Sequence, residues 1–355
     1  MLALSQIEDV LQFYKCPCKA TGAREGGGYI DYFLSPINGT TLNKLNARVN
    51  DLGVALGQAV QIALENMQRI LRVKDQQKIY NYFDYSNNLE KITGQLAIGI
   101  NPRGEYVQYN LFKMPHLLVA GATGSGKSVF LHNVIISLLD KNIDLRLIDL
   151  KRVELSRYNG LNNLISDTVT EAEQAARVLE LEVDEMQRRY KTMEQYNARN
   201  YSDLPANVAF NARVIIIDEL ADLMLNRDTR RSVENSVVRI AQLGRAAGVH
   251  LVLATQRPST NVITGLIKAN IPCKVAFMTS NAIDARVIGC KGAENLSGCG
   301  DALLSIAGRK ELERVQAFYI DDQTLNRFID QLKEIQPKPT PQKQERRGFF
   351  SRLFN

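Results

Sequence analysis

The sequence predicts an α/β protein in which a parallel sheet is covered by helices on both faces. Two observations carry this prediction. Short, almost continuously apolar runs alternate with helical patterns from Lys91 to Asp330, as they do in parallel sheets buried on both faces. In addition, a glycine-rich segment lies between one of these runs and the next helical pattern, with the spacing of a phosphate-binding loop.

The strands are predicted where apolar runs of four to six residues occur, and the helices where apolar residues recur at helical spacing. Two helices of the larger region are predicted at Val129–Leu139 and Glu171–Tyr196. The predicted strands of that region are Leu117–Ala120, Leu145–Ile148, Val214–Ile217, Leu251–Ala254, Val275–Met278 and Val315–Ile320.

Composition changes along the chain predict four segments. Residues 1–27 are expected to be a flexible N-terminal segment, closed by three glycines. Residues 28–94 are predicted to form a small α/β domain, with strands at Tyr29–Leu34 and Tyr80–Tyr85 and a helix at Thr41–Ala63. Residues 95–330 form the larger domain, and residues 331–355 form a basic tail that contains prolines.

The glycine-rich segment fits the pattern G-x-x-x-x-G-K-[ST] and stands between a predicted strand and a predicted helix, which is the context that the motif requires. Its glycines let the backbone wrap a phosphate, and the helix adds the partial positive charge of its N-terminus. Lys127 is expected to reach the β and γ phosphates, and the Ser128 hydroxyl to bind Mg²⁺. The predicted ATP-binding residues are Gly121, Ala122, Thr123, Gly124, Ser125, Gly126, Lys127 and Ser128.

Two carboxylates follow the strand Val214–Ile217 directly. Because the carboxyl ends of parallel strands share one edge of a sheet, Asp218 is expected beside the phosphate loop, where it holds the Mg²⁺ shell. Glu219 is then placed to polarise a water molecule as a general base. This pair indicates an ATP hydrolase, and a helix cap is the alternative role for Glu219.

Two further polar residues flank the strand Leu251–Ala254. Gln256 follows its end and is a candidate sensor of the γ phosphate. Arg245 precedes it, between Gly244 and Gly248, and is predicted to lie on a flexible loop. An arginine in such a loop is suited to act as a finger that reaches the nucleotide of a neighbouring subunit.

With these residues in order, the chain resembles the FtsK/SpoIIIE family of double-stranded DNA translocases from about Gly28 to Ile320. The most distinctive stretch runs from Arg245 through Ala254-Thr255-Gln256-Arg257-Pro258 to Pro272. The other matching segments are Lys113–Ala120, Glu185–Tyr190, Asp218–Met224, Ile283–Arg286 and Gly298–Asp301.

The resemblance implies a RecA-like P-loop NTPase core of the ASCE class, which hydrolyses ATP with Mg²⁺. It also implies a homo-hexameric ring that moves double-stranded DNA through its channel, with the small N-terminal domain forming a second ring. The family's channel loops fall near residues 257–268 and 280–286. The candidate DNA contacts are therefore Arg257, Lys268 and Arg286, which would hold phosphates without reading sequence.

Two other functions remain open. A conjugative coupling ATPase would act on single-stranded DNA, and a DNA-packaging or secretion ATPase would dock to a protein complex through its tail. The tail's last residues, Gly348–Asn355, carry an apolar face suited to a protein or an anionic membrane surface. The family's membrane helices and winged-helix domain are not expected in this sequence. Ala282 replaces a lysine that is common in the second channel loop.

The composition excludes a wholly disordered chain and a disulfide-rich secreted protein. The 355 residues carry 44 basic and 38 acidic side chains, a net charge of +6, with 45% hydrophobic residues, which is ordinary for a folded domain. Residues 331–355 hold six basic and two acidic residues, so most of the excess charge lies in the tail. Five cysteines make no disulfide framework and indicate a reducing cytoplasm. Cys16 and Cys18 lack partners at zinc spacing.

Overall fold

The computed structural model describes residues 2–26, 29–58, 60–65, 67–74, 95–139 and 143–335. Its chain divides into two compact units. The first unit comprises residues 1–83, 98–107 and 313–319, and the second comprises residues 84–97, 108–312 and 320–355. Two later stretches thus join the N-terminal unit, which the predicted division at residues 94 and 95 did not anticipate.

The first unit begins with one helix and a four-stranded antiparallel sheet of order β1-β2-β4-β3. Its elements are α1 (Leu4–Phe13), β1 (Cys18–Gly26), β2 (Tyr29–Pro36), α2 (Leu42–Asn46), α3 (Val49–Leu56), β3 (Val60–Glu65) and β4 (Gln68–Lys74). The predicted strand at Tyr29–Leu34 is confirmed as β2. The predicted strand at Tyr80–Tyr85 lies outside the described residues.

The expectation that residues 1–27 are flexible is wrong. Helix α1 buries Ile7 and Leu11 completely, and the Glu8 carboxylate accepts a hydrogen bond from the Ala20 backbone N–H at 2.8 Å. Strand β1 pairs with β2 along its length. The segment has weak local signals, and its order comes from burial against the rest of the unit, which a local reading of the chain does not detect.

The helix predicted at Thr41–Ala63 is also wrong in extent. The Thr41 hydroxyl caps α2 by accepting from the Lys44 N–H at 3.2 Å. Helix α3 ends at Gly57, whose φ of +62° is left-handed, and the chain then enters β3. Gly57 adopts this conformation at little cost because it has no Cβ, so the apolar pattern continues while the helix stops.

Charged side chains cross one face of this sheet in a row. Asp31 on β2 is fully buried and accepts two hydrogen bonds from Arg72 on β4, at 2.7 and 2.9 Å. Arg24 on β1 also donates to Asp31, at 2.9 Å. The strand register sets Arg24, Asp31 and Arg72 side by side, so the buried carboxylate is paired with charge-assisted donors.

The later elements belong mostly to the second unit. They are β5 (Gln95–Ile100), β6 (Tyr106–Asn110), β7 (Leu117–Ala120), α4 (Lys127–Ser137), β8 (Ile143–Ile148), α5 (Ala172–Gln195), β9 (Ala212–Ile217), α6 (Leu220–Met224), α7 (Arg230–Ala247), β10 (Val249–Thr255), α8 (Gly265–Asn270), β11 (Cys273–Phe277), α9 (Ala282–Ile288), β12 (Asp301–Ser305), β13 (Glu313–Ala317) and α10 (Asp322–Ile335). Of these, β13 together with parts of β5 and β6 belongs to the first unit.

In the second unit, six neighbouring strands follow the order β12-β11-β7-β10-β9-β8. The five strands from β11 to β8 are parallel, as the apolar runs predicted. Strand β12 pairs antiparallel with β11. The strand predicted at Val315–Ile320 is β13, which belongs to the first unit and pairs antiparallel with β5 there. Because this pairing is antiparallel, β13 is not one of the parallel strands, contrary to the prediction.

Both long helices of the prediction are present. Helix α4 begins two residues before the predicted start, and α5 covers almost the predicted range. Helix α5 is joined to the sheet by a buried ion pair, since Glu182 accepts from Arg146 on β8 at 3.1 Å and from Arg213 on β9 at 2.9 Å. Removing either partner of such a pair leaves an uncompensated buried charge.

Helix α10 continues to Ile335, so the structured chain extends five residues beyond the predicted boundary at Asp330. The remainder of the predicted tail, with Gly348–Asn355, lies outside the described residues. No helix within the described ranges has the length and apolar character needed to cross a membrane.

Two buried histidines pack together in the second unit. The ring centroids of His116 and His250 are 6.1 Å apart, and Phe112 lies 5.1 Å from His250. The His116 Nδ1 accepts from the Leu251 N–H, whereas neither ring nitrogen of His250 has a hydrogen-bond partner among the described residues. Burial lowers the pKa of His116 to about 4 and that of His250 to about 3.

These depressed pKa values predict acid sensitivity. Between about pH 6.5 and pH 4 the unfolded chain binds protons at these positions while the folded protein does not, so the stability present above pH 6.5 is lost as the pH falls. We expect His250→Leu to remove about 2 kcal/mol of the difference in unfolding free energy between pH 7 and pH 5. Chemical denaturation at both pH values measures it.

Phe112→Leu is the matched control, because it repacks the same cluster without removing a titrating group. It should keep the pH dependence of the original protein. Equal pH dependence in His250→Leu and the original protein would contradict the assignment of a buried, neutral His250.

Candidate functional site

The glycine-rich loop follows β7 at the carboxyl edge of the parallel sheet, as predicted. Its first residues continue the hydrogen bonding of the sheet: the Gly121 N–H donates to the Thr255 carbonyl at 3.3 Å, and the Ala122 N–H donates to the Met278 carbonyl at 2.8 Å. The loop is thereby attached to the ends of both strands that flank β7.

Two glycines give this loop its shape. Gly124 and Gly126 have φ values of +76° and +110°, which side-chain-bearing residues rarely adopt. At Gly126 a Cβ would also lie 2.7 Å from the Gly300 nitrogen. Gly300 approaches so closely because its N–H donates to the Ser125 carbonyl at 2.9 Å. The segment Gly298–Asp301 thus supports the loop from outside, a role that its sequence alone did not reveal.

The interior of the loop has the character of an anion site. The Ser125 hydroxyl is buried without a hydrogen-bond partner in the described part of the chain. Within that part, the N–H groups of Gly124, Gly126 and Lys127 donate to no backbone carbonyl. Helix α4 begins at Lys127 and adds its N-terminal dipole. Unsatisfied donors at a helix start are the groups that bind phosphate.

Lys127 and Asp218 form the central ion pair of the site. The Lys127 ammonium, only 3% exposed, donates to the Asp218 carboxylate at 2.8 Å and to its carbonyl at 2.9 Å. Asp218 follows β9, two strands away from β7. The structure therefore brings together the two residues that the motifs predicted.

Glu219 is buried and surrounded by donors. Its Oε1 accepts from the Thr255 hydroxyl at 2.5 Å and from the Ala221 N–H at 3.3 Å. Its Oε2 accepts from the Gln256 N–H at 3.0 Å. Glu219 is the N-cap of α6, so the structure shows the helix-capping contact that was the alternative role. The same residue also lies at the carboxyl edge of the sheet.

Gln256 lies against the phosphate loop. Its side-chain oxygen accepts from the Thr123 hydroxyl at 3.0 Å. This contact joins the predicted sensor directly to the loop that would hold the phosphates. Thr123, Gln256 and Glu219 therefore form one connected chain of hydrogen bonds.

Lys151 is a member of the site that the sequence analysis missed. Its ammonium lies 3.7 Å from Glu219 Oε2 and 3.7 Å from Asp222 Oδ2. Burial raises the pKa of Asp222, the Lys151 charge opposes this, and the charge of Glu219 adds to the rise. Its place in the sequence could have identified it, because Lys151 follows three residues after the end of β8, at the same edge of the sheet as Asp218.

Asp149 fixes the loop that carries Lys151. This buried carboxylate accepts hydrogen bonds from four backbone N–H groups at 2.9–3.1 Å, those of Lys151, Arg152, Glu154 and Leu155. Four donors on one carboxylate hold the turn firmly and satisfy the buried charge. Lys151 is thus presented to Glu219 by a rigid turn.

The same turn places Glu154 beside the start of α4. Its carboxylate lies 3.1 Å from His132 Nε2, and His132 Nδ1 lies 3.0 Å from the Tyr158 hydroxyl. Hydrogen bonding to His132 first, and to Ser128 in addition, lowers the pKa of Glu154 despite its partial burial. A carboxylate therefore stands near Ser128, the predicted Mg²⁺ ligand.

The flexible loop predicted around Arg245 is wrong. Arg245 lies in the last turn of α7, with its side chain exposed. Gly244 is present for close packing, because a Cβ there would lie 2.1 Å from the Val249 carbonyl oxygen. Gly248, with φ of +67°, ends the helix. The glycines shape a tight turn between α7 and β10, and Arg245 is held on a rigid element.

Two of the three candidate DNA contacts lie together. The Lys268 ammonium on α8 donates to the Arg286 carbonyl on α9 at 2.9 Å. Both short helices are capped at their starts, α8 by Thr264 and α9 by Asn281. Arg257 is exposed in the loop that follows β10. Among the described residues no cluster of three or more metal-ligating side chains occurs.

Comparison with known proteins identifies relatives of this arrangement. A family model described as the FtsK/SpoIIIE family matches residues 84–214 and 206–260. The DNA translocase FtsK of Corynebacterium glutamicum is 41% identical over 267 residues, 69% of this chain and 29% of the relative. That of Listeria monocytogenes is 37% identical over 347 residues, 89% of this chain and 45% of the relative. This chain thus spans less than half the length of these two relatives.

Solved structures share the fold. The pCW3 conjugation coupling protein TcpA, in a monomer form with ATPgS, has a TM-score of 0.68 at 23% identity, covering 93% of this chain and 99% of that one. EssC (ATPases 2 and 3) from Geobacillus thermodenitrificans has a TM-score of 0.61 at 15% identity, covering 70% of this chain and 51% of that one. These similarities confirm the predicted α/β P-loop NTPase fold.

Proposed function

This chain belongs to the FtsK/SpoIIIE family, and we propose that it is an ATP-driven motor that moves double-stranded DNA. The observation that carries the proposal is the carboxyl edge of the parallel sheet, where the Lys127 ammonium pairs with Asp218 and the next residue, Glu219, accepts a hydrogen bond from the Gln256 N–H. The relatives named DNA translocase supply the substrate class.

Nucleotide binding uses the loop Gly121–Ser128. Its N–H groups and the Ser125 hydroxyl have unused donor capacity, which suits the oxygens of a triphosphate. Lys127 transfers its ammonium from Asp218 to the β and γ phosphates. Asp218 and Ser128 would then hold Mg²⁺, which would neutralise charge on the phosphates.

Hydrolysis uses Glu219 as the general base. Its carboxylate lies next to Asp218 in sequence and beside Gln256 in space. Gln256 senses the γ phosphate through its contact with Thr123 of the loop. A base in this position removes a proton from the attacking water, a contribution of about 10²–10⁴ in rate.

Assembly and DNA contact complete the proposal. The motor is a homo-hexamer in which Arg245, exposed on α7, reaches the nucleotide of the next subunit as an arginine finger. Arg257, Lys268 and Arg286 face the channel and bind DNA phosphates. Phosphate contacts give grip without sequence preference, which a translocating motor requires.

The role of Glu219 predicts a separation of binding from turnover. Glu219→Gln keeps the shape and the backbone contacts but removes the base, so ATP binding should stay within about threefold while turnover falls at least about 100-fold. Binding is measured with a fluorescent ATP analogue and turnover by phosphate release. Glu194→Gln, an exposed glutamate on α5, is the matched control and should keep normal turnover. A normal rate of ATP hydrolysis by Glu219→Gln would contradict the assignment of Glu219 as the general base.

Duplex DNA should stimulate the ATPase, because the proposed motor couples hydrolysis to movement on the duplex. We expect a stimulation that weakens steeply from 50 to 200 mM salt, because the counterions displaced from DNA gain less entropy when they enter a more concentrated salt solution. The measurement is the steady-state ATPase rate with equal nucleotide concentrations of duplex DNA, single-stranded DNA or no DNA. Equal or greater stimulation by single strands would favour a coupling ATPase and contradict the proposed substrate.

The trans position of Arg245 predicts that one defective subunit impairs its neighbour. Arg245→Ala subunits mixed with the original protein should reduce the DNA-stimulated rate by more than simple dilution, because the finger stabilises transition-state charge in another subunit. Titration of the variant into a fixed amount of the original protein measures this. Arg239→Ala, the same change at an exposed arginine six residues earlier on α7, is the control and should give simple dilution. A strictly linear dilution curve would exclude a finger in trans.

A further inference from the structure

Most of the hydrogen-bonding positions of the Glu219 carboxylate are taken by donors from the protein itself. The Thr255 hydroxyl, the Gln256 N–H and the Ala221 N–H all donate to it. The Lys151 ammonium stands 3.7 Å from Oε2. A carboxylate offers about four lone-pair positions, so three donors and an adjacent cation leave little capacity for a water molecule. The residue is only 6% exposed.

A general base needs a lone pair directed at the proton that it removes. The shortest of the three contacts is the one from the Thr255 hydroxyl, at 2.5 Å, and it is made to Oε1. The other two donors are backbone N–H groups, which hold their places with the chain. The hydroxyl is therefore the contact whose loss would most free Oε1.

Thr255 is also hydrogen-bonded to the loop that follows β10, where the resemblance places the first channel loop. Its hydroxyl oxygen accepts from the Arg257 N–H at 3.0 Å. The Arg257 carbonyl in turn accepts from the Ser259 N–H at 2.8 Å, and the Ser259 carbonyl accepts from the Ile263 N–H at 2.8 Å. One unbroken series of hydrogen bonds thus runs from Glu219 through Thr255 into the loop 257–264.

We propose that Thr255 is a positioning residue that holds Glu219 in a resting orientation and releases it when the loop 257–264 is loaded by DNA. The inference rests on the proposed function and adds a coupling element to it. Hydrogen-bond strength falls steeply with distance and angle, so a loop displacement of about 1 Å suffices to break the contact to Glu219. Hydrolysis is then slow without DNA and fast with it.

The test is the ratio of DNA-stimulated to DNA-free turnover. Thr255→Val keeps the side-chain shape and removes the hydroxyl, and Thr255→Ser keeps the hydroxyl. We expect Thr255→Val to raise the DNA-free kcat roughly threefold to tenfold, to lower the stimulation ratio to match, and to leave the KM for ATP unchanged. Thr255→Ser should behave as the original protein. Thr21→Val, the same change at an exposed threonine on β1 of the first unit, is the matched control.

A double variant shows whether the gain passes through Glu219. Thr255→Val combined with Glu219→Gln should lose the raised DNA-free rate. If the raised rate persists in the double variant, or if Thr255→Val binds the fluorescent ATP analogue normally yet shows an unchanged or lower DNA-free rate, the proposal is overturned. If Thr255→Val does not fold, Thr255→Ala removes the same hydroxyl and is judged by the same criteria.

The two proposals fail separately. If the original protein is not stimulated by duplex DNA, the proposed motor function fails, and the positioning role is then decided by the DNA-free rates of the Thr255 variants alone. If stimulation is present but Thr255→Val keeps the original ratio, the motor function stands and the positioning role of Thr255 is rejected.

Discussion

The parallel pairing of β7 between β10 and β11 is the constraint on which the site depends. The register sets Ala120 level with Thr255 on one side and with Ala276 on the other. The chain therefore leaves all three strands at the same edge, and the backbone bonds of Gly121 and Ala122 extend that pairing beyond the last strand residue. Because the phosphate loop begins as a continuation of the sheet, its position relative to Asp218 is set by strand order and not by the loop itself. Any slip of β7 by one residue would exchange its two faces and move the loop away from Asp218.

Each buried carboxylate at this edge of the sheet has its own set of hydrogen-bond donors. Three buried carboxylates follow the ends of β8 and β9, and each is stabilised by different donors: Asp149 by four backbone N–H groups, Asp218 by Lys127, and Glu219 by Thr255 and its neighbours. Buried carboxylates without such donors would cost several kcal/mol each. The matching has a functional consequence under the proposed function. The donors of Asp149 are backbone N–H groups of the turn that follows it, whereas Asp218 depends on the ammonium of one side chain, Lys127. If bound phosphates drew Lys127 away, Asp218 would lose its partner and would be available to hold a divalent cation.

The parts of the fold and site that the sequence predicted are those with local signals. Continuous apolar runs identified the parallel strands, and the spacing of Gly121–Ser128 located the loop. The parts that it missed depend on tertiary contacts. Residues 1–27 have little local preference and are ordered by burial of Ile7 and Leu11. The glycines around Arg245 suggested a flexible loop, but they serve close backbone packing and a helix end, so the arginine lies on α7. Lys151 carries no motif, and only the strand order brings it to Glu219. The antiparallel pairing of β12 with β11 likewise follows from packing.

Under the proposed function, the charge distribution suits a motor that must release DNA as well as hold it. Residues 331–355 carry a net charge of +4 out of the +6 of the whole chain, so the remainder of the protein is close to neutral. A strongly basic channel would bind DNA tightly and slow each release, because every additional phosphate contact strengthens binding. A few placed cations per subunit avoid this cost. Lys268 is held by the Arg286 carbonyl, so its position depends on the arrangement of α8 and α9 and not on overall charge. Under the proposed ring, sixfold repetition supplies the total grip, while each subunit retains contacts few enough to break within one cycle of hydrolysis.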